Sequence, residues 1–202
     1  IYCCSESEFM GDIVFADIIK QDSKDALKAL KKLGIAKTVM MTGDKEEIAK
    51  DIASKAGIDT VYSRLMPDEK ANIVSELQKS GSTVVYTGDG INDAPVLSQA
   101  DVGVAMGGAG SDIAVEASDM VIMGDSLSKL AIGKKVAKKT IRIVHENIIF
   151  AIAVKLLIII GCAIGIFDEN AMWLAVFGDV GVCLIAIANS LRALRVGKIK
   201  NK

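Results

Sequence analysis

The stretch that decides the fold runs from a β-branched segment into a glycine-flanked acidic turn: Thr83-Val84-Val85-Tyr86-Thr87-Gly88-Asp89-Gly90-Ile91-Asn92-Asp93. An apolar run that stops at Gly-Asp-Gly predicts a buried parallel strand whose carboxyl end opens into a loop, where open α/β sheets bind ligands. Gly88 and Gly90 allow a sharp turn, so we expect Asp89 and Asp93 to lie close together. Because a hard cation such as Mg²⁺ stabilises adjacent carboxylates, we predict a phosphate-handling magnesium site at this strand tip.

Composition limits the classes of protein to consider. The chain of 202 residues is 51% hydrophobic and 24% charged, and the apolar excess lies after Asn147. A net charge of −1 provides no domain-wide basic field, so we expect no nucleic-acid partner. The four cysteines show neither CxxC spacing nor a disulfide framework, which fits a reducing cytosolic setting. The sequence starts at Ile1 without a signal-like segment, and we expect an N-terminal part of the same protein to precede it.

Apolar runs alternate with helical segments over the first 126 residues. The predicted strands, besides the one quoted above, lie at 13–16, 38–41, 61–63, 102–105 and 120–123. Asp22-Ser23 is predicted to cap the first helix, Gly57 to end the second and Pro67 to open the third. This alternation predicts right-handed crossovers and a parallel sheet covered on both faces. We therefore predict a Rossmann-like α/β domain over residues 1–126.

The remaining sequence has the pattern of a membrane hairpin. A basic helical segment at 127–146 precedes two apolar segments at 148–167 and 171–191, each near the ~20 residues needed to cross a bilayer. The turn at 168–170 contains two acidic residues, Asp168 and Glu169, and basic residues flank the outer ends, which orients both ends towards the cytoplasm. We predict a linker helix at 127–146, a two-helix transmembrane hairpin at 147–194 and a basic cytosolic tail at 195–202.

Thr42 and Lys70 are candidates to complete the phosphate site. A hydroxyl at a strand end can donate a hydrogen bond to a phosphoryl oxygen, and an ammonium group can offset its charge. Taken singly, Thr42 is also an ordinary turn residue and Lys70 an ordinary solvated helix lysine.

In their order along the chain, these motifs resemble the phosphorylation domain of P-type ATPases, within the haloacid-dehalogenase-like phosphotransferases. The motifs that carry the resemblance are Thr42-Gly43-Asp44, Pro67-Asp68-Glu69-Lys70, Gly88-Asp89-Gly90-Ile91-Asn92-Asp93 and Ala105-Met106-Gly107. The resemblance implies ATP as substrate and Mg²⁺ as cofactor. It also implies an incomplete domain of the haloacid-dehalogenase-like type.

The resemblance further implies roles for individual residues. Asp89 would bind Mg²⁺ directly, and Asp93 and Asn92 would support that site. Thr42 would hold the phosphoryl group and Lys70 would stabilise it. Gly43 belongs to the same turn as Thr42, and Asp44 would lie at the nucleotide-facing loop.

The family's phosphorylated aspartate has no counterpart here. That residue lies in an Asp-Lys-Thr-Gly stretch, which this sequence lacks, and Asp17-Ile18-Ile19-Lys20 does not fit the pattern. We therefore expect the nucleophile to lie upstream of Ile1, so that this chain alone does not turn over.

Lys155 and Asp179 are the informative residues of the hairpin. A charge near mid-membrane costs about 2.5–3.5 kcal/mol on insertion scales, so it persists mainly when it is paired or lines a pathway. Counted from the turn at Asp168, the two residues reach comparable depths on antiparallel helices and are expected to pair. A lysine followed by Asp-x-Gly, here Asp179-Val180-Gly181, resembles the last two membrane helices of zinc, cadmium and lead exporters.

That second resemblance implies that Asp179 ligates the transported ion and that Lys155 acts as its counter-charge; a purely structural ion pair is the alternative. The expected function is ATP-driven export of Zn²⁺, Cd²⁺ or Pb²⁺ through an aspartyl-phosphate, by a multi-pass protein of the plasma membrane. Two alternatives stay open: a membrane-anchored phosphatase of the same superfamily, and a non-catalytic fragment.

Overall fold

The computed structural model describes residues 2–4, 9–12, 19–88, 91–107, 112–124, 126–166 and 171–195. It forms two compact units, Ile1–Lys129 and Leu130–Lys202. The predicted strand at 13–16 lies outside the described residues.

The first unit alternates strands and helices, as the sequence predicts. In chain order its elements are β1 (Tyr2–Cys4), β2 (Phe9–Asp12), α1 (Gln21–Lys32), β3 (Val39–Met41), α2 (Glu46–Ala56), β4 (Thr60–Tyr62), α3 (Pro67–Lys79), β5 (Val85–Gly88), a 3₁₀ turn (Ile91–Asp93), α4 (Ala94–Gln99), β6 (Val102–Met106), α5 (Asp112–Glu116) and β7 (Met120–Ile122). The strands β3 and β4 pair in parallel, and so do β5, β6 and β7 in that order. The antiparallel pair β1–β2 was not predicted.

Two of the three predicted helix boundaries lie at the residues that the sequence indicates. Pro67 opens α3 and Gly57 ends α2 in a left-handed conformation with φ of 81°, both as predicted. The predicted cap of α1 by Asp22 and Ser23 is wrong, because the helix begins at Gln21. Asp22 instead accepts a hydrogen bond of 2.6 Å from the Ser126 hydroxyl, a partner 104 positions away that no local pattern reveals.

Aspartates that precede strands tie neighbouring strands together. Asp59, before β4, accepts a hydrogen bond from the backbone N–H of Thr38 at 2.8 Å. Asp101, before β6, does the same for Val84 at 2.8 Å. Asp119, before β7, accepts from Gly103 at 2.8 Å. Each carboxylate therefore satisfies a backbone donor at the start of the adjacent strand and helps to fix the parallel register.

The core of this unit combines residues of the three-stranded sheet with residues of α3, α4 and α5. Its buried cluster consists of Val74, Tyr86, Val96, Leu97, Ala105 and Ala114, with Met41 packed against it. The backbone of Gly103 passes so close to the Leu97 carbonyl that a Cβ there would clash. This close approach of α4 to β6 brings the 3₁₀ turn that precedes α4 to the end of β5.

The second unit is helical. The helix α6 (Ser128–Ala163) is continuous for 36 residues, so the predicted linker and first apolar segment form a single helix. The following elements are α7 (Ala171–Val176), a π-helical turn (Phe177–Gly181), α8 (Val182–Ser190) and a 3₁₀ turn (Leu191–Arg195). Two helical stretches, Ser128–Ala163 and Met172–Leu194, are long and apolar enough to cross a membrane. Many large apolar side chains of this unit are exposed, as is expected for helices that contact lipid.

Candidate functional site

The turn Thr42-Gly43-Asp44 follows directly on β3 and is held by its own side chains. The Thr42 hydroxyl donates to Asp44 Oδ2 at 2.7 Å and accepts from the Asp44 backbone N–H at 3.1 Å. The segment after β4 closes over this turn, since Arg64 N–H donates to the Asp44 carbonyl and Leu65 N–H to the Thr42 carbonyl. Arg64 has a φ of 56°, which a non-glycine residue adopts only when its surroundings impose it.

Lys70 and Asp93 form the ion pair at the centre of the site. Lys70 lies in the first half of α3, and Asp93 ends the 3₁₀ turn after β5. The Lys70 Nζ lies 2.9 Å from Asp93 Oδ1, and the side chains are only 18% and 12% exposed. The pair thus joins two of the predicted motifs in one partly buried contact.

Gly88 makes room for the Asp93 carboxylate. A Cβ on Gly88 would lie 2.8 Å from both the Cβ and the Oδ2 of Asp93. Asp93 is therefore packed against the last residue of β5, at the tip where the sequence predicts the magnesium site. Only glycine fits this backbone position without moving the carboxylate.

Tyr86 is a member of the site that the sequence did not predict. Its hydroxyl donates to Asp93 Oδ1 at 2.9 Å, from a side chain that is 9% exposed. The available signal was its position, since residues two apart on a strand share a face and Tyr86 stands two residues before Gly88.

Across the residues that the structure describes, the other predicted members of the phosphate site form no side-chain hydrogen bond with Lys70 or Asp93. Asp89 lies outside the described residues, and Asn92 is exposed. Within the described part of the chain, no hydrogen bond joins the Thr42 turn to Lys70 or Asp93. Among the described residues, no three His, Cys, Asp or Glu side chains group closely enough to hold a metal ion.

The donor set nevertheless fits Mg²⁺. This ion prefers carboxylate oxygens and takes few protein ligands, and Asp93 supplies a carboxylate held against a glycine that leaves space. The sequence predicts Asp89 as the second carboxylate. Bound there, Mg²⁺ would neutralise charge on phosphoryl oxygens.

The helical unit contains the predicted ion pair. The Lys155 Nζ lies 2.9 Å from Asp179 Oδ1, although the two residues belong to different helices. Asp179 lies within the π-helical turn, a widened geometry frequent at functional sites. Gly178 is buried against α6, where an added Cβ would lie 2.8 Å from Ile158 Cδ1.

A second polar contact joins the helices near their basic ends. The Asn147 side chain donates to the Ala186 carbonyl and to the Ser190 hydroxyl, and it accepts from Asn189 at 2.8 Å. Arg192 donates to both Glu146 and Asn189.

Comparisons with known proteins show similarity over both units. Residues 4–101 match the haloacid dehalogenase-like hydrolase family. The cadmium, zinc and cobalt-transporting ATPase of Bacillus subtilis is 44% identical over 100% of this chain and 28% of that protein. The zinc-transporting ATPase of Synechocystis is 44% identical over 95% of this chain and 26% of its own length. A crystal structure of a zinc-transporting PIB-type ATPase in the E2·Pi state superposes with a TM-score of 0.81 at 33% identity, covering 89% of this chain and 28% of that one.

The first unit is thus of the haloacid dehalogenase-like hydrolase class, with its carboxylates at the ends of parallel strands. Over 95–100% of its length the chain is similar to the metal-transporting P-type ATPases just named, and it spans 26–28% of the length of these relatives.

Proposed function

We propose that this chain is the magnesium-binding and phosphate-binding part, together with one side of the ion pathway, of an ATPase that exports Zn²⁺, Cd²⁺ or Pb²⁺. The observation that carries the proposal is the presence of two separate ion pairs, Lys70–Asp93 and Lys155–Asp179, each at 2.9 Å. The Lys70–Asp93 pair suits a site for a phosphoryl group, and the Lys155–Asp179 pair suits a site for a divalent cation. The relatives named above transport zinc, cadmium or cobalt.

In the first unit, each residue has a distinct task in phosphoryl transfer. Thr42 donates a hydrogen bond to a phosphoryl oxygen and gives up its present bond to Asp44. Lys70, close to Asp93, supplies positive charge to the same group. Asp89 and Asp93 hold Mg²⁺, with Asn92 beside them. The phosphorylated aspartate belongs in this proposal to sequence outside these 202 residues, since they contain no Asp-Lys-Thr-Gly.

In the second unit, Asp179 binds the transported ion, and the Lys155 ammonium group takes the place of the ion once it has left. A carboxylate surrounded by apolar side chains requires a positive partner. When the cation leaves, the Lys155 ammonium group, which already lies at hydrogen-bond distance, neutralises Asp179. The lipid bilayer of the plasma membrane is the proposed surroundings of these helices.

The decisive experiment measures metal-stimulated ATP hydrolysis by the intact ATPase that contains this chain, reconstituted in lipid vesicles. Asp179→Ala should abolish stimulation by Zn²⁺, Cd²⁺ and Pb²⁺. The exchanged pair, Lys155→Asp with Asp179→Lys, should remain inactive, because a ligand and its counter-charge are not interchangeable. Metal-stimulated hydrolysis that survives Asp179→Ala would contradict the transport role, and rescue by the exchanged pair would show a structural salt bridge.

A measurement of phosphoenzyme formation distinguishes this proposed function from the two alternatives. Asp89→Asn should prevent phosphoenzyme formation from ATP in the intact protein, because the magnesium site loses a charge. Hydrolysis of phosphate esters without any response to metal ions would instead favour the membrane-anchored phosphatase. A complete protein that binds neither ATP nor metal would favour the non-catalytic fragment.

A further inference from the structure

Tyr86 connects the core of the first unit to the site. Its ring belongs to the buried cluster with Val74, Leu97 and Ala105, but its hydroxyl reaches out of that cluster. A buried tyrosine hydroxyl requires a hydrogen-bond partner, and this one donates to a carboxylate 7 positions along the chain. A residue that only filled the core would serve equally well as phenylalanine.

The two donors to Asp93 converge on the same oxygen. Tyr86 Oη and Lys70 Nζ each lie 2.9 Å from Asp93 Oδ1. The other oxygen, Oδ2, faces Gly88 at the tip of β5. The rotation of the carboxylate is therefore fixed: Oδ1 accepts both hydrogen bonds, and Oδ2 is directed towards the strand tip.

The two donors differ in how firmly they are held. Lys70 has a long side chain with several rotatable bonds, and in the proposed function its charge also serves the phosphoryl group. Tyr86 is rigid, since its backbone pairs with Gly103 of β6 and its ring is packed in the core. Of the described residues that donate hydrogen bonds to Asp93, Tyr86 is the one that stays in place to orient the carboxylate when Lys70 turns to phosphate.

We propose that Tyr86 is a positioning residue, whose hydroxyl holds the Asp93 carboxylate in the rotation that the magnesium site needs. This inference rests on the proposed function, because it assumes that Asp93 serves Mg²⁺. Groups that orient a metal-binding carboxylate typically change metal affinity by 10–100-fold when they are removed.

The test is a calorimetric Mg²⁺ titration of the full 202-residue chain in detergent. Tyr86→Phe removes only the hydroxyl and should weaken Mg²⁺ binding by about 10-fold. Tyr62→Phe removes a tyrosine hydroxyl from β4 and is the matched control, with unchanged affinity expected. Melting curves in Mg²⁺-free buffer check that each variant is folded. Tyr86→Leu, which also lacks the hydroxyl, should reproduce the weakening.

The outcomes distinguish this inference from the proposed function. Equal Mg²⁺ affinities for the unaltered chain and Tyr86→Phe would overturn the positioning role and leave the magnesium site standing. An equal loss in Tyr62→Phe would also overturn it, because the effect would not be specific to Asp93. An unaltered chain that does not bind Mg²⁺ would contradict the magnesium site and, with it, this inference.

Discussion

At the scale of single residues, Gly88 determines where Asp93 can lie. Gly88→Ala would place a Cβ 2.8 Å from Asp93 Oδ2, so the carboxylate must move away from the strand tip. Because a displacement of about 1 Å in a site can reduce rate by about 100-fold, we expect a loss of this order in phosphoenzyme formation by the intact ATPase. Val85→Ala, at an exposed position of the same strand, is the control. Full activity of Gly88→Ala would show that Asp93 has no fixed place in the reaction.

A second residue-scale prediction concerns acid stability. The pKa of Asp59 is lowered, first by its hydrogen bond to the Lys31 ammonium at 2.6 Å and then by hydrogen bonds from Thr38. A carboxyl whose pKa is lower in the folded than in the unfolded protein stabilises the fold above its ordinary pKa of about 3.9. That stabilisation is lost as the pH falls through the folded-state value.

Asp59→Asn should therefore lower the melting temperature at pH 7, and the difference from the unaltered chain should shrink as the pH falls below about 4. Thermal melts followed by circular dichroism between neutral and acidic pH would measure this. Asp51→Asn, which breaks an exposed pair with Lys55 on α2, is the control and should change little. A difference that stays constant with pH would mean that charge on Asp59 is not the cause.

The sequence predicted some of these residues better than others. The sequence predicted Lys70 and Asp93 as residues of one site, and the structure adds that their side chains form an ion pair at 2.9 Å. The role of Tyr86 could not be predicted in the same way, because tyrosine is common in strands and only its three-dimensional partner distinguishes it. The roles of Thr42, Asn92 and Asp89 remain predictions.

At the scale of secondary-structure elements, the close approach of α4 to β6 leaves no space for a side chain at Gly103. An alanine at 103 would place its Cβ against the Leu97 carbonyl, and backbone atoms at that point cannot swing aside. We expect Gly103→Ala to destabilise the first unit by about 1–3 kcal/mol or more, measured by chemical unfolding. Gly43→Ala, whose Cβ would meet the Leu65 carbonyl at an ordinary 3.5 Å, is the control and should unfold like the parent. Equal stability of both variants would refute this packing argument.

Most helices and strands were predictable because their signals are local in the sequence. Contacts between residues far apart in the sequence were not. Strand and helix positions follow from apolar runs and from Gly57 and Pro67, which are local signals. The aspartates before β4, β6 and β7 act on neighbouring strands, so their function depends on sheet order rather than on adjacent sequence. The pair Asn147–Asn189 was missed for the same reason: its partners are 42 positions apart.

At the scale of the whole molecule, the chain combines an α/β unit with two helices that are apolar enough to cross a bilayer. In sealed lipid vesicles, trypsin added on the side of the first unit should cleave at the basic residues Lys134 and Lys138 of α6 and spare Lys155. Detergent should make Lys155 cleavable, because it removes the apolar surroundings. Mass spectrometry of the fragments gives the result. Cleavage after Lys155 in sealed vesicles would place that residue in water and contradict a membrane hairpin.

The unbroken course of α6 has a mechanical consequence. At about 1.5 Å per residue, its 36 residues make a rod about 54 Å long, well beyond the ~30 Å of a hydrocarbon core. A helix that is unbroken over 36 residues transmits torque along its axis instead of absorbing it at a joint. Any rotation applied to its basic end therefore turns Lys155 through the same angle, and swings that ammonium group towards or away from Asp179.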